Sequence, residues 1–141
     1  MRTSRTQTFA TTLPPSRRAA VTVEFAIVLP VLIALVVGIV ESCNLIYVKQ
    51  SLTVSAYEGA RAAIVKGMSV TDIQARSNQV LTDRKIKSTT ILISPTSPST
   101  ASYGSYITVQ VQATYGSNTI IPGFFFGNVT LKSSIRMMKE Y

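Results

Sequence analysis

The sequence has no histidine, one cysteine and six acidic residues, against 14 lysines and arginines. The absence of histidine removes the commonest general base of enzymes. The lone cysteine, Cys43, cannot form a disulfide within the chain and has no partners at metal-ligand spacing. The acids are scattered, and there is no glycine-rich phosphate-binding loop. These absences predict a protein that is not an enzyme and that holds neither a metal nor a cofactor.

The net charge of +8 is spread along the chain rather than gathered into one stripe. The densest basic cluster is Arg84, Lys85 and Lys87, and no aromatic residue is interleaved with it. Nucleic-acid-binding domains usually concentrate basic charge on one face or stripe. We therefore do not expect nucleic acid as a partner.

What the sequence does contain is one long apolar run, from Ala19 to Val40. Its uncharged part, from Phe25 on, would span about 24 Å as a helix, against about 30 Å for the hydrocarbon core of a bilayer. One or both of the flanking acids, Glu24 and Glu41, should therefore lie at or inside the hydrocarbon edge. A carboxylate at the bilayer centre costs about 2.5 to 3.5 kcal/mol, and less near the edge. Glu24 is interpreted either as an interfacial residue favoured by the helix dipole or as an acid with a specific cationic partner.

The charges that flank the run indicate its orientation. Basic residues precede it, including Arg17 and Arg18, and the first charge after it is acidic. This asymmetry predicts a cytoplasmic N-terminus and an extracytoplasmic remainder. The run is longer than the apolar part of a secretory signal, and no A-x-A-like site follows it. We expect a basic cytoplasmic leader over 1–19, a transmembrane helix over 20–47 and an extracytoplasmic head over 48–141.

The start of the run reads Arg17-Arg18-Ala19-Ala20-Val21-Thr22-Val23-Glu24-Phe25. It resembles the processing site of prepilin-like proteins, in which a membrane aspartic peptidase cuts just before the apolar segment. The resemblance implies cleavage between Ala19 and Ala20, which would make Glu24 the fifth residue of the mature chain and Phe25 the sixth. That class usually has glycine before the cut, and Ala19 departs from the pattern.

Further motifs narrow the resemblance to one family. The run continues through Pro30 to Gly38-Ile39-Val40-Glu41, Ala56-Tyr57-Glu58-Gly59-Ala60-Arg61 follows, and a strand-like segment over 127–138 closes the chain. In order and spacing these segments resemble the TadE-like family, the minor pseudopilins of the tight-adherence (Tad/Flp) pilus system. The likeness covers residues 17–66 well and the remainder loosely.

The family resemblance implies a minor pilin-like subunit that assists assembly of a Tad/Flp-type adhesion pilus or secretion system in a bacterial cytoplasmic (inner) membrane. The implied partners are a prepilin peptidase, other pilin-like subunits, the membrane platform of the pilus machine and the lipid bilayer. Arg17, Arg18, Glu24 and Phe25 would serve recognition and assembly, with Glu24 paired to a free N-terminal amine, commonly of a neighbouring subunit. Two alternatives remain: an uncleaved, signal-anchored binding module, and a pseudopilin of another secretion machine.

Beyond the membrane, residues at three- and four-residue steps predict that the helix continues to about Lys66. They are Leu45, Val48, Leu52, Ala56, Gly59 and Ala63. Ser69 is expected to cap a second helix over 70–82, and alternating residues predict strands over 86–94, 107–115 and 129–137. Three short strands need a helix across one face, and the small-residue face of the long helix is the natural cover. The predicted class is α+β: a long N-terminal transmembrane helix extending into a small head with a short second helix and a three-stranded antiparallel sheet.

Two features of the sequence each have more than one interpretation. Phe124, Phe125 and Phe126 are consecutive in a loop and cannot all point into a small core. They are interpreted as a lid on the head's own core, as a partner contact or as a lipid contact. Cys43 is interpreted as a small residue near the end of the membrane helix, with an intermolecular disulfide or a lipid attachment as alternatives.

Overall fold

The computed structural model describes residues 15–120 and 126–140, with side chains from residue 19 on. The elements are two helices, α1 (Pro15–Ala63) and α2 (Val70–Asp83), and three strands, β1 (Thr89–Ser94), β2 (Tyr106–Thr114) and β3 (Thr130–Met138). The chain divides between Val37 and Gly38 into two compact units. We call the part from Gly38 on the C-terminal unit. The long apolar helix, the short second helix and the three-stranded antiparallel sheet confirm the predicted α+β class.

Before Gly38, α1 presents its side chains to the outside on every face, and residues 19–36 are all exposed. A helix satisfies its own backbone hydrogen bonds, which is the requirement for crossing lipid. Pro30 lies inside α1, where it removes one backbone N–H. Membrane helices tolerate such a proline because neighbouring groups compensate for the lost bond.

After Gly38, α1 buries one face, as predicted. Val48, Leu52, Ala56 and Ala63 are each at most 1 % exposed. Gly59 lies where α1, α2 and β2 meet, because a Cβ added there would overlap Ser77 Oγ and lie 3.2 Å from Val109 Cγ1. The small residues of this face therefore let the helix approach the sheet and α2 closely.

The end of α1 and the start of α2 depend on local signals. α1 ends at Ala63, slightly before the predicted Lys66, and Gly67 reverses the chain with a φ of +83°. Ser69 caps α2: its Oγ accepts from the Asp72 N–H at 3.2 Å, and Asp72 Oδ2 accepts from the Ser69 N–H at 3.1 Å. This reciprocal pair satisfies two backbone donors that a helix start otherwise leaves open.

α2 rests on α1 along one edge only. Ile73, Ser77 and Leu81 are its buried residues. Ser55 Oγ donates to the Ser77 carbonyl at 2.9 Å, and Ser77 Oγ donates to the Ser55 carbonyl at 3.2 Å. These two reciprocal hydrogen bonds join α1 and α2 in the interior, and they satisfy the hydroxyl groups of both serines.

The sheet has the order β1-β2-β3, with both pairs antiparallel. The central strand β2 alternates as the sequence predicts, and its buried residues are Ile107, Val109, Val111 and Ala113. β1 begins at Thr89 rather than at Ile86, because Lys85 and Ser88 take positive φ values of 57° and 53° and break the extended backbone. Ile86 still reaches the core from this connection.

Candidate assembly site

The residues expected at the processing and assembly site all lie on α1. Ala19, Ala20, Glu24 and Phe25 are exposed. Arg17 and Arg18 belong to the same helix by their backbone. Positions four apart on a helix are neighbours on one face, so Ala20 precedes Glu24 by about one turn on the same side.

Glu24 is surrounded by exposed apolar side chains. Val21, Phe25, Ile27 and Val28 are each more than half exposed. A carboxylate on such a surface is costly in lipid unless a cation approaches it. The Glu24 carboxylate is therefore unfavourable in lipid when the subunit is alone. A cationic group on a partner would remove most of that free-energy cost.

One helix in the described part of the chain is long and apolar enough to cross a membrane, and it lies within Ala19–Ala63. None of its most apolar stretch is buried in the fold. The buried core, by contrast, is formed by residues of the C-terminal unit. This one helix, among the residues that the structure describes, suggests a single-pass membrane protein.

A buried polar cluster lies where α1 enters the C-terminal unit. Glu41 is 3 % exposed and accepts the Phe126 N–H at 3.1 Å on Oε1. Its carbonyl accepts the Tyr115 hydroxyl at 2.9 Å. Asn44, one turn on, donates from Nδ2 to Tyr115 Oη at 3.3 Å and to the Asn118 carbonyl at 3.0 Å. Burial of Glu41 here leaves Glu24 as the acid that α1 displays on its exposed apolar surface.

Asn118 extends this cluster to the connection before β1. Its Oδ1 accepts the Lys87 N–H at 2.6 Å, and its Nδ2 donates to the carbonyls of Lys87 and Thr114, both at 2.9 Å. The cluster therefore ties two loops to α1 directly after the apolar run. Sequence reasoning missed it, although Glu41 and Asn44 share a helix face and Tyr115 continues the buried alternation of β2.

The phenylalanine segment is described in part. Phe126 is partly buried and packs against the core. Phe124 and Phe125 lie outside the described residues. Cys43 carries a free, exposed thiol. Among the described side chains, no three of the His, Cys, Asp and Glu type lie close enough to hold a metal ion.

A family model described as TadE-like protein matches residues 19–61. No curated protein and no solved structure matches the chain. The match confirms the resemblance over the stretch that contains Ala19, Ala20, Glu24 and Phe25. It suggests a component related to a Tad pilus.

Proposed function

We propose that this protein is a minor pilin-like subunit, a pseudopilin, that assists assembly of a Tad/Flp-type adhesion pilus or secretion system. Its role is structural rather than catalytic. It sits in a bacterial cytoplasmic (inner) membrane, with the N-terminus in the cytoplasm and the head outside. The observation that carries the proposal is Glu24, an exposed carboxylate on an apolar helix, within the segment that matches the TadE-like family.

Processing would supply the partner of Glu24. A prepilin peptidase that recognises Arg17 and Arg18 and cuts between Ala19 and Ala20 leaves a free amine on Ala20. That amine lies about 6 Å before Glu24 along the helix axis. Two helices packed side by side with a stagger of about one turn bring the amine of one subunit to the carboxylate of the next.

The pairing would favour the assembled state over the isolated subunit. A lone carboxylate in lipid is penalised, whereas a close ion pair with satisfied hydrogen bonds recovers much of that penalty. The exposed apolar side chains around Glu24, including Phe25, supply packing surface for other pilin-like subunits and for the membrane platform. The buried core lies in the C-terminal unit, so the helix before Gly38 remains available for these contacts.

Substitution of Glu24 tests the assembly role. Glu24→Ala should insert into the membrane normally but be incorporated into the pilus machine about tenfold less or worse, because the partner amine is left uncompensated in lipid. Incorporation is measured by crosslinking to neighbouring subunits and by counting pili. Glu140→Ala, which removes an exposed acid from the C-terminal unit, is the matched control and should behave as wild type. Normal incorporation of Glu24→Ala would refute the proposal.

One observation favours a second candidate, an uncleaved and signal-anchored binding module. Position 19 is alanine, where prepilin-like proteins usually have glycine. An uncut chain would keep its arginines before the span and would lack the amine on Ala20. The state of the N-terminus therefore separates the two candidates. A pseudopilin of another secretion machine shares the processing step and would be separated by the neighbouring genes.

A further inference from the structure

A groove on the C-terminal unit opens at the end of the apolar run. Its volume is about 620 Å³, within the range of small-molecule sites, and its lining is largely apolar. Ile39 and Val40 of α1 form part of the lining, and Ile86 and Ile120 contribute from the loops that flank the sheet. The groove is therefore shaped from two sides by branched aliphatic side chains.

These walls are unusually exposed. Ile39 is 63 % exposed and Ile120 is 79 % exposed. Ile39 and Val40 are also the last residues of the apolar run that we assign to the membrane. The groove is thus continuous in sequence with a lipid-facing helix, which argues for an acyl chain rather than water against its walls.

Two cations line the same groove, Arg84 and Lys85, and the exposed Lys87 follows them. The acid next to them in sequence, Asp83, is not among the lining residues; it borders a neighbouring depression that Arg84 also lines. The polar end of the groove therefore carries a net positive charge. This charge favours a headgroup with a net negative charge over a neutral or cationic one.

The cations also lie at the depth of a lipid headgroup. Tyr47 Oη donates to the Arg84 carbonyl at 3.3 Å, which places Arg84 beside that turn of α1. Tyr47 follows Val40 by about 10 Å along the helix axis, and the hydrocarbon core can reach about 6 Å past Val40, because the uncharged run is that much shorter than the core. Tyr47 then lies about 4 to 10 Å beyond the hydrocarbon. The headgroup region extends roughly 5 to 8 Å beyond the hydrocarbon on each side of a bilayer, and tyrosine is enriched there. The apolar walls and the cations therefore match the acyl and phosphate regions of one lipid.

We propose that this groove binds an anionic phospholipid, with an acyl chain against Ile39, Val40 and Ile120 and the phosphate against Arg84 and Lys85. The bound lipid would hold the C-terminal unit against the membrane surface. This inference goes beyond the proposed function. It depends on α1 spanning a membrane and is independent of cleavage and of pilus assembly.

Cys43 provides a built-in reporter, since it is the single cysteine of the chain, is exposed and lines the groove. The full chain is placed in nanodiscs of phosphatidylcholine with increasing phosphatidylglycerol, and the rate of thiol modification by a neutral maleimide is measured. Phosphatidylglycerol should slow the reaction severalfold relative to pure phosphatidylcholine, because an occupied groove shields the thiol. Each variant is compared with its own rate in pure phosphatidylcholine.

The double variant Arg84→Gln, Lys85→Gln should need roughly 25-fold more phosphatidylglycerol for the same protection, since each basic residue near an anionic surface changes affinity roughly fivefold. The matched control is Lys66→Gln with Arg76→Gln, which removes the same charge outside the groove and should keep wild-type protection. Circular dichroism checks the fold. If the double variant unfolds, Arg84→Gln alone should show about a fivefold shift.

Three outcomes would overturn the proposal. Phosphatidylglycerol that leaves the rate unchanged would show that no anionic lipid occupies the groove. An equal loss of protection in the control pair would assign the effect to diffuse surface charge. Protection by soluble glycerol phosphate in pure phosphatidylcholine discs would assign the groove to a free phosphate compound instead of a lipid.

Discussion

Replacing Gly59 with alanine should destabilise the C-terminal unit, although alanine is the better helix former. An alanine Cβ at this position would overlap Ser77 Oγ and lie 3.2 Å from Val109 Cγ1. Ser77 cannot turn away freely, because its Oγ donates to the Ser55 carbonyl and is fully buried. Relief of the overlap therefore requires α1 and α2 to move apart or the buried hydroxyl to lose its bond.

The magnitude follows from two opposing effects. Alanine gains about 1 kcal/mol over glycine in a helix interior. Overpacking of a tight core typically costs about 1 to 3 kcal/mol, and the locked Ser77 side chain places this site in the upper part of that range. We expect a net loss of about 1 to 2 kcal/mol in the free energy of unfolding.

A second substitution isolates the cause. Ser77→Ala removes the overlapping oxygen and leaves Ser77 Cβ at 3.6 Å from the new methyl group, an ordinary contact. In that background Gly59→Ala should cost at least about 1 kcal/mol less than in the wild type. The free energies are measured on the full chain in detergent micelles by urea unfolding and pulse proteolysis. Gly59→Ala that is as stable as wild type, or equally destabilising in both backgrounds, would refute the packing argument.

Three further predictions concern the polar bonds of the C-terminal unit. Tyr115→Phe should lower the free energy of unfolding by about 1 to 2 kcal/mol, because Glu41 and Asn44 lose a buried hydroxyl partner; an equal loss in a variant at the exposed Tyr103 would contradict this. Ser69→Ala should cost about 1 kcal/mol and speed amide hydrogen exchange in the first turn of α2; unchanged exchange would count against the cap. Hydrogen bonds from Ser69 lower the pKa of Asp72, so the stability they contribute is present above the unfolded-state pKa and is lost as the pH falls through the folded-state pKa. The exchange rates of the first turn of α2, each divided by the intrinsic rate at the same pH, should therefore rise on acidification in the wild type but not in Asp72→Asn.

The parts of the fold that sequence reasoning predicts are those encoded locally. Alternation in β2, the Ser69 cap and the small face around Gly59 each depend on residues within a few positions of one another. The sequence predicts that β1 begins at Ile86, whereas the strand begins at Thr89, because the positive φ values of Lys85 and Ser88 are backbone features that residue propensities do not show.

The buried polar cluster is the opposite case. Glu41 and Asn44 find their partners more than 70 positions away, at Tyr115 and Asn118. An acid that follows an apolar run is typical of a membrane boundary. Only the tertiary fold shows that Glu41 is buried. The groove beside Ile39 was missed for the same reason, since its walls come from segments that are distant in sequence.

The most direct test of the proposed role is the mass of the N-terminal peptide of the chain recovered from membranes of cells with an active Tad system. The account predicts a mature chain that begins at Ala20, and a full-length chain when the prepilin peptidase is deleted. A chain that retains Arg17 and Arg18 in both strains would contradict it, because Glu24 would then have no processed amine to pair with.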